Sequence, residues 1–459
     1  MLAARSALKL LADSLPPGAV EEEPTRDPWG RDASHLAGVS PIAVVHAGSV
    51  EDVQNTMKWA FEHGVPVAPR GAGTGKAGGA IPKAEGIVLS LAKMTQIRSV
   101  EARHSFAEVE PGVITGPFRA EMEAQGLFYP PDPASLDQCT LGGNVATNAG
   151  GPLAVKYGVT GNFVMGLDAV LPDGRLLQTG KRQPKGVAGT DLCSLLVGSE
   201  GTLAVMVGLR LRLLPRPRAV ATALLPFPSS RAAAAALLSA RLSGLLPRAA
   251  ELLDKTSLDR ARLHAPFPLD PAWGALLLVE FDGEPGRPEE DLARFADLAS
   301  DLGGSIQIAS SPSDRAALWE TRRQMSVLVK KGTLGHISED VAVPLGSIPD
   351  LLDAIERIGK AHRIITATYG HLGDGNLHVN LLWEEASGAE RGPGAADAVF
   401  EAALALGGTI TGEHGVGLAK KGWLPKEVGP TAISLMAAIK SAWDPRGILN
   451  PGKVVDRIG

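Results

Sequence analysis

Two histidines flank a glycine-rich turn in the second half of the chain. Between His371 and His378 the sequence reads HLGDGNLH, and Asp374-Gly375 is a strong signal for a two-residue hairpin turn. A turn centred on that pair places the two histidines opposite each other, with Cβ atoms about 4.5–5.5 Å apart, which suits two ligands of one metal ion. Asn380 follows His378 by two residues and shares its face of the strand. A longer loop would change this register, and a structural hydrogen-bonding role is the alternative for each histidine.

A carboxylate and a third histidine lie in the later segment GGTITGEHGVG, residues 407–417. Glu413 has the chemistry of a metal ligand, and His414 that of a proton acceptor. Two histidines and one carboxylate leave coordination positions open, as a catalytic Zn²⁺ or Mn²⁺ site requires. The alternative is a capped loop with two solvated polar side chains.

Arg322 and Arg323 offer a binding group for an anionic substrate, because the guanidinium fork matches a carboxylate. Both stand in the helical pattern WETRRQMS, with Ser326 one turn after Arg322. A solvated basic helix face is the alternative, more so for Arg323. Weaker candidates for the same site follow in the segment HISEDVAVP: His336, Glu339 and Asp340.

The loop GAGTGKAGG, residues 71–79, formally contains the glycine spacing of a dinucleotide-binding motif. That motif requires a helix after its third glycine, whereas here Pro82 follows and no helical period is present. The phosphate-binding P-loop pattern also fails, because Ala77 stands where Ser or Thr is needed. A nest of backbone N–H groups for an anion such as pyrophosphate remains, with Arg70 beside it. An ordinary glycine-rich turn is the alternative.

Further segments of the first half alternate glycine with small polar residues, as expected beside an extended cofactor. They are PPDPAS, TLGGNVATNAGG and GSEGTL. Together with PRGAGTGKAGG, GHLGDGNLH and GEHGVG, and in this order, they resemble the FAD-linked oxidases of the vanillyl-alcohol oxidase superfamily. Within it, the sequence is most similar to the branch of glycolate oxidase FAD subunits, D-lactate dehydrogenases and D-2-hydroxyglutarate dehydrogenases. The similarity runs from about Pro41 to Lys453.

The resemblance implies an α+β fold with a two-subdomain FAD-binding domain, followed by an α+β cap domain with an antiparallel sheet over the flavin. The expected domains are residues 1–217 for FAD, 218–425 for the cap and metal site, and 426–459 for a C-terminal helix and tail that return to the FAD domain. The first limit coincides with the proline-rich stretch PRPR, residues 215–218, which predicts a stiff linker.

The resemblance also implies which residues contact FAD. Those at the pyrophosphate are Arg70, Gly71, Gly73, Thr74 and Gly75. Those elsewhere along the cofactor are Pro131, Asp132, Ser135, Gly142, Gly143, Asn144, Thr147, Asn148, Gly150, Glu200, Gly201 and Asn450.

In the cap domain the resemblance makes His371, His378 and Glu413 the metal ligands. It makes His414 the active-site histidine and Arg322 the substrate-carboxylate anchor. Asn380 is placed with the catalytic residues.

The flavin is expected to be held without a covalent bond. Many superfamily members tether FAD through a histidine in the first loop, and the residues around Lys76 offer none. Cys139 lies near a position where some relatives place a tethering cysteine, but a plain buried thiol is the expected role here. The two cysteines of the chain form no disulfide framework and indicate a reducing compartment.

Composition excludes several other classes of protein. Apolar residues make up 44% and charged residues 21% of the 459 residues, as in globular proteins of two or more domains. The net charge of -5 argues against a nucleic-acid partner. No signal peptide or membrane span is visible, so we expect a soluble cytoplasmic protein, with peripheral membrane association and a homodimer left open.

The expected reaction is oxidation of a small D-2-hydroxy acid to the 2-oxo acid, with metal assistance and His414 as the base. The chain has no Fe–S or haem motif, so electrons must pass to an electron-transfer protein, an Fe–S partner subunit or a quinone. One alternative is a non-redox flavoenzyme like alkylglycerone-phosphate synthase, although GEHGVG lacks the run of histidines of that branch. The other is a non-catalytic FAD-binding subunit of a larger oxidase, which should lack the cap-domain ligands.

Overall fold

The computed structural model of the chain describes residues 2–22, 24, 26–183, 185–262, 264–265, 268–309 and 311–458. The helices, in chain order, are α1 (Leu2–Asp13), α2 (Arg26–Trp29), α3 (Val50–His63), α4 (Thr115–Ala124), α5 (Leu141–Thr147), α6 (Ala154–Tyr157), α7 (Leu192–Leu196), α8 (Ser230–Leu242), α9 (Lys255–Ala261), α10 (Arg287–Ser300), α11 (Pro312–Leu328), α12 (Ile348–His362), α13 (Gly388–Ala405) and α14 (Leu424–Trp443). The strands are β1 (Val20–Glu22), β2 (Ala43–His46), β3 (Val67–Arg70), β4 (Ile87–Ser90), β5 (Ile97–Glu101), β6 (Phe106–Val109), β7 (Leu127–Phe128), β8 (Val164–Val170), β9 (Leu176–Gly180), β10 (Val205–Arg212), β11 (Leu214–Pro215), β12 (Ala219–Phe227), β13 (Ala249–Asp254), β14 (Ala275–Gly283), β15 (Gln307–Ile308), β16 (Gly335–Ala342), β17 (Ile365–His371) and β18 (Asn376–Trp383).

The chain divides into two compact units. The first comprises Met1–Ala149, Val159–Arg216 and Glu413–Gly459, and the second comprises Gly150–Gly158 and Pro217–Gly412. The sequence predicted domain limits after residues 217 and 425, and the corresponding unit limits lie after residues 216 and 412. The short segment of residues 150–158 belongs to the second unit, where the Tyr157 hydroxyl donates to Asp282 Oδ2 at 2.6 Å.

The first unit contains two larger sheets. One has the order β1-β2-β4-β3, with β2, β3 and β4 parallel and β1 antiparallel. The other is antiparallel, with the order β5-β6-β10-β8-β9. One apolar core joins them through α1 and α3, and it includes Leu11, Val45, Met57 and Val207.

Helix α3 begins and ends where its sequence predicts. Ser49 caps the first turn and accepts a hydrogen bond from the Asp52 amide, while the Asp52 side chain accepts from the Ser49 amide. Gly64 ends the helix in the left-handed conformation, with φ of 66°. Local signals suffice here because both ends of the helix are satisfied by residues within one turn.

The second unit is built on a seven-stranded sheet of order β15-β12-β14-β13-β17-β18-β16, in which every pairing is antiparallel. The expected α+β fold with an antiparallel cap sheet is therefore confirmed. Helices α9 and α11 pack on one face of this sheet through an apolar cluster that includes Leu253, Leu258, Leu278 and Met325. That face also carries the polar residues described below, because directly paired residues of antiparallel strands share a face.

Strand β13 was not predicted from the sequence. It lies in the middle of the sheet, between β14 and β17. In the described part of the chain, none of the helices is long and apolar enough to cross a membrane.

Candidate active site

The hairpin of β17 and β18 has a longer loop than the sequence predicted. His371 pairs with Asn376, and Tyr369 pairs with His378, so residues 372–375 form the loop. The prediction that the two histidines lie directly opposite each other is therefore wrong. The shift amounts to two positions along the strands, which keeps both histidines on one face because side chains alternate with a period of two. Their ring centroids are 5.2 Å apart as diagonal neighbours.

The extra loop length has a packing cause at Gly375. Its φ is +87°, and a Cβ on this residue would lie 2.1 Å from the carbonyl oxygen of Val343. The Val343 amide donates to the Gly375 carbonyl at 3.2 Å, so the loop end packs directly on the chain after β16. Asp374 stabilises the same turn by accepting the Asn376 amide at 3.2 Å.

Glu413, the third predicted metal ligand, follows a backbone segment, residues 409–412, that is hydrogen-bonded to β16. Thr409 forms an antiparallel bridge with Ala342, and the Gly412 amide donates to Asp340 Oδ2 at 2.7 Å. Asp340 is fully buried and is the register partner of His378. Glu413 is the next residue after Gly412, the last residue of the second unit.

His371, His378 and Glu413 each offer one ligand atom, and these atoms lie within 4.8 Å of one another. The two histidines are buried, and Glu413 is half-buried. Imidazole nitrogens and a carboxylate oxygen at this separation suit a single divalent ion of the Zn²⁺ or Mn²⁺ type.

A fully buried glutamate that the sequence analysis did not identify lies beside this group. Glu251, on β13, is the register partner of His371, and its Oε1 is 2.7 Å from His371 Nδ1. Its Oε2 accepts a hydrogen bond from Arg322 Nε at 2.5 Å. Burial would raise the pKa of Glu251, but the positive charge of Arg322 and the bond to His371 outweigh it and lower the pKa to about 2.

Arg322 reaches this position from α11. The helix begins after Ser311, which accepts the Asp314 amide, and Pro312 occupies its first turn. The Arg322 side chain is buried, its Cζ lies 4.9 Å from the Tyr369 ring centroid, and its Nη2 has no hydrogen-bond partner. A buried guanidinium N–H without a partner is costly, so this atom is suited to an anionic ligand.

Arg323 has a different environment from its neighbour. Its guanidinium pairs with Glu320 one turn earlier at 2.7 Å, and the two side chains are 43% and 49% exposed. Of the two arginines, Arg322 is the one that hydrogen-bonds Glu251, the carboxylate that also contacts His371.

Asn380 is fully buried and already bonded at both ends of its amide. Its Nδ2 donates to the Ala367 carbonyl at 3.1 Å, and its Oδ1 accepts from the Ser338 hydroxyl at 2.6 Å. Ser338 is its register partner on β16. This environment suits a residue that fixes the strands beside His378.

The loop after Glu413 is held by Glu200. The amides of Val416 and Gly417 donate to the two carboxylate oxygens of Glu200 at 2.8 and 2.9 Å. Burial raises the pKa of Glu200, and these two amides oppose that effect. His414 lies in the loop that these bonds anchor. Both carboxylate oxygens of Glu200 therefore accept hydrogen bonds from the protein backbone.

The glycine-rich loop that follows β3 is shaped around Arg70. This residue is buried, its Nη1 donates to the Arg31 carbonyl at 2.6 Å, and a Cβ on Gly73 would lie 1.9 Å from its Nη2. Gly73 has a φ of +75°, and a Cβ on Gly71 would lie 2.3 Å from Thr140 Oγ1. Larger residues at these two glycines would displace their neighbours, as expected of a loop that approaches other groups closely.

The C-terminal tail meets the same loop. Asn450 Nδ2 donates to the Glu200 carbonyl at 2.7 Å, and Lys453 Nζ donates to the Gly79 carbonyl at 2.8 Å. Burial lowers the pKa of Lys453 to about 7. Asn450 was predicted from the sequence, whereas Lys453, in the same segment NPGK, was not.

Several other predicted FAD residues hold the backbone of this unit. The Gly143 amide donates to the side chain of Thr140, the N-cap of α5, and Thr147 Oγ1 donates to the Gly143 carbonyl at 3.2 Å. Asn144 Nδ2 donates to Thr115 Oγ1 at 2.8 Å. Gly142 lies in α5, and the remaining members of the predicted set lie in loops or turns outside the described helices and strands: Thr74, Gly75, Pro131, Asp132, Ser135, Asn148, Gly150 and Gly201.

Comparison with known proteins identifies the family. A family described as "FAD binding domain" matches residues 41–180, and one described as "FAD linked oxidases, C-terminal domain" matches residues 216–454. The chain is 37% identical to "Glycolate oxidase subunit GlcD" of Bacillus subtilis over 93% of this chain and 91% of that protein. It is 33% identical to "D-lactate dehydrogenase" of Anaerostipes hadrus over 90% and 89%.

Among solved structures, the chain is similar in fold to p-cresol methylhydroxylase, with a TM-score of 0.81, 16% identity and coverage of 99% of this chain and 98% of the other. The resemblance inferred from the sequence motifs is confirmed. The chain belongs to the FAD-linked oxidases.

Proposed function

We propose that this protein oxidises a small D-2-hydroxy acid of the glycolate, D-lactate or D-2-hydroxyglutarate type to the corresponding 2-oxo acid. The observation that carries the proposal is the buried Nη2 of Arg322, which has no hydrogen-bond partner, on an arginine that shares the Glu251 carboxylate with His371. A 2-hydroxy acid has a carboxylate for the arginine and an adjacent hydroxyl for a metal ion. The names of the relatives, which refer to glycolate and D-lactate, support the same class of substrate.

Each residue of the site has a proposed role. Arg322 binds the substrate carboxylate and orients it. His371, His378 and Glu413 hold a divalent ion, with Zn²⁺ slightly favoured over Mn²⁺, and His414 takes the proton of the hydroxyl. Bound FAD supplies the two-electron acceptor, and the ion supplies Lewis acidity.

Asn380 is proposed to act by positioning. Its bonds to Ala367 and Ser338 fix three strands around His378, so it sets the geometry of a ligand without touching the reacting atoms.

The FAD-binding residues are proposed as the sequence motifs imply. The loop that includes Gly71 and Gly73 would hold the pyrophosphate; Arg70 packs against Gly73 of this loop, and Lys453 bonds the Gly79 carbonyl at its end. Close backbone packing at these glycines and the buried Arg70 beside them favour an anionic guest.

Electrons are proposed to leave through a partner, either an electron-transfer protein, an Fe–S subunit or a quinone. The Bacillus subtilis relative is named a subunit, which supports a partner protein. A cytoplasmic location, with the protein peripheral to a membrane when the acceptor is a quinone, agrees with this proposal.

Anaerobic flavin reduction tests the function. We expect glycolate, D-lactate or D-2-hydroxyglutarate to bleach the flavin of the metal-replete protein under argon, while L-lactate leaves it oxidised. The measurement is the absorbance near the flavin maximum over time. If none of these acids bleaches the flavin, the proposal is wrong, and a non-redox flavoenzyme or a non-catalytic subunit takes its place.

The flavin is expected to be released by acid. The first loop has no histidine, and Cys139 is buried, with its Sγ 3.4 Å from Thr115 Oγ1, as a plain packed thiol would be. Acid precipitation of the purified protein should therefore leave a yellow supernatant. A yellow pellet, with Cys139→Ala restoring release, would show a covalent bond instead.

A further inference from the structure

Glu251 connects Arg322, the proposed substrate anchor, with His371, a proposed metal ligand. Its two oxygens are each committed to one residue, Oε1 to His371 Nδ1 at 2.7 Å and Oε2 to Arg322 Nε at 2.5 Å. The carboxylate is fully buried in the middle of the sheet. The proposed substrate anchor and a proposed metal ligand therefore share one carboxylate.

We infer that Glu251 is a positioning residue that sets both the metal affinity of His371 and the orientation of Arg322 toward the substrate carboxylate. This inference rests on the proposed function.

The first half of the inference follows from hydrogen-bond chemistry. An ionised carboxylate only accepts hydrogen bonds, so its bond to His371 requires the proton on Nδ1. The lone pair of His371 is then on Nε2, the nitrogen that would bind the metal ion. Carboxylates in this position orient a histidine ligand and increase its basicity.

The second half follows from the shape of the guanidinium group. Glu251 bonds the Nε of Arg322, and this single contact at 2.5 Å fixes the plane of the group against the Tyr369 ring. The buried Nη2 then remains without a protein partner. An arginine held at Nε presents its outer N–H groups to a ligand without further loss of side-chain freedom.

A second pair on the same helix provides a matched comparison. Arg315, two turns before Arg322, donates to the buried Glu280 through Nε at 2.5 Å and Nη2 at 3.2 Å. Trp319 Nε1 donates to the same carboxylate at 2.6 Å. Among its described bonds, Glu280 contacts neither His371 nor His378. It is therefore a buried ion-pair partner of an arginine, as Glu251 is, but it has no proposed role in positioning a metal ligand.

The test is Glu251→Gln, measured by metal affinity and by steady-state kinetics. The amide has one acceptor and one donor end, so it cannot accept from both His371 and Arg322. We expect Zn²⁺ affinity, measured by competition with a chelator, to fall about 10- to 100-fold. At saturating Zn²⁺ we expect KM for the acid to remain raised by at least tenfold, with a smaller change in kcat.

Glu280→Gln is the control for loss of a buried ion pair. We expect it to lower the melting temperature while Zn²⁺ affinity and KM stay within about twofold of the wild type. Glu251→Asp keeps the charge but shortens the reach, and it serves if Glu251→Gln does not fold. We expect it to lower Zn²⁺ affinity in the same direction.

The outcomes separate this inference from the proposed function. If the folded Glu251 variants bind Zn²⁺ as tightly as the wild type, Glu251 is a structural ion pair and the inference is wrong. That measurement needs no substrate, so it decides the role of Glu251 even if no hydroxy acid reduces the flavin.

Discussion

Removal of the divalent ion is expected to give a folded, yellow protein that has lost at least about a thousandfold of its turnover. A Lewis acid that binds the substrate hydroxyl contributes several kcal/mol to the reaction, and each 1.36 kcal/mol is a factor of ten in rate. The proposed ligands His371, His378 and Glu413 lie within 4.8 Å of one another. The measurement is the rate of flavin reduction before dialysis against a chelator, after it, and after Zn²⁺ or Mn²⁺ is returned.

Flavin content should survive this treatment. The proposed pyrophosphate loop, residues 71–79, and its anchors Arg70 and Lys453 belong to the first unit, whereas two of the three proposed metal ligands, His371 and His378, belong to the second. A loss of flavin together with the metal would contradict this separation of the two binding functions.

Two neighbouring substitutions distinguish a ligand from a base. Glu413→Gln should lower metal content and turnover together, because an amide oxygen is a weaker ligand than a carboxylate. His414→Ala should lower turnover by about 10²- to 10⁴-fold and leave the metal content unchanged, because it is proposed to accept a proton. If metal-free protein reduces its flavin at the full rate, the ion is not catalytic and His371 and His378 are structural.

Short-range features could be predicted from the sequence. The N-cap of α3 at Ser49 depends on Asp52 three residues later, and its end depends on Gly64. Each of these is settled by contacts within one helical turn, which a local pattern encodes.

The register of the β17–β18 hairpin could not be predicted in this way. Asp374-Gly375 is a good turn signal, but the loop is set by Gly375 packing against Val343, 32 residues earlier. The error in the predicted register was an even number of residues, so His371 and His378 still share one face of the sheet. An odd error would have placed His371 and His378 on opposite faces.

Glu251 was missed for a related reason. Its strand reads AAELLD, and Ala, Glu and Leu favour helices over strands. Pairing with β14 and β17 in the middle of the sheet overrides that preference. A single glutamate in such a segment has no spacing to mark it, and only its partners, 71 and 120 residues away, reveal its role.

Loss of the guanidinium group in Arg322→Ala should raise KM for the acid and reduce kcat/KM by about 30- to 5,000-fold. This range corresponds to about 2–5 kcal/mol for truncating a buried charged anchor. Arg322→Lys should recover only part of the loss, since it keeps the charge near Glu251 but has no second N–H in the plane of the fork. The measurement is the initial rate with an artificial electron acceptor across a range of acid concentrations.

Arg323→Ala is the matched control, one position along the same helix. Its ion pair with Glu320 is exposed, and such pairs contribute about 0–1 kcal/mol, so neither KM nor stability should change measurably. A melting curve of Arg322→Ala is needed beside the kinetics, because removing this arginine leaves the Glu251 charge buried with one partner fewer. The two effects are separable, since destabilisation lowers the amount of active protein and thus the maximum rate, whereas a lost anchor raises KM in the molecules that remain folded. An unchanged KM in folded Arg322→Ala would refute the anchor, and it would leave the buried N–H of Arg322 as a structural group rather than the atom that recognises the substrate.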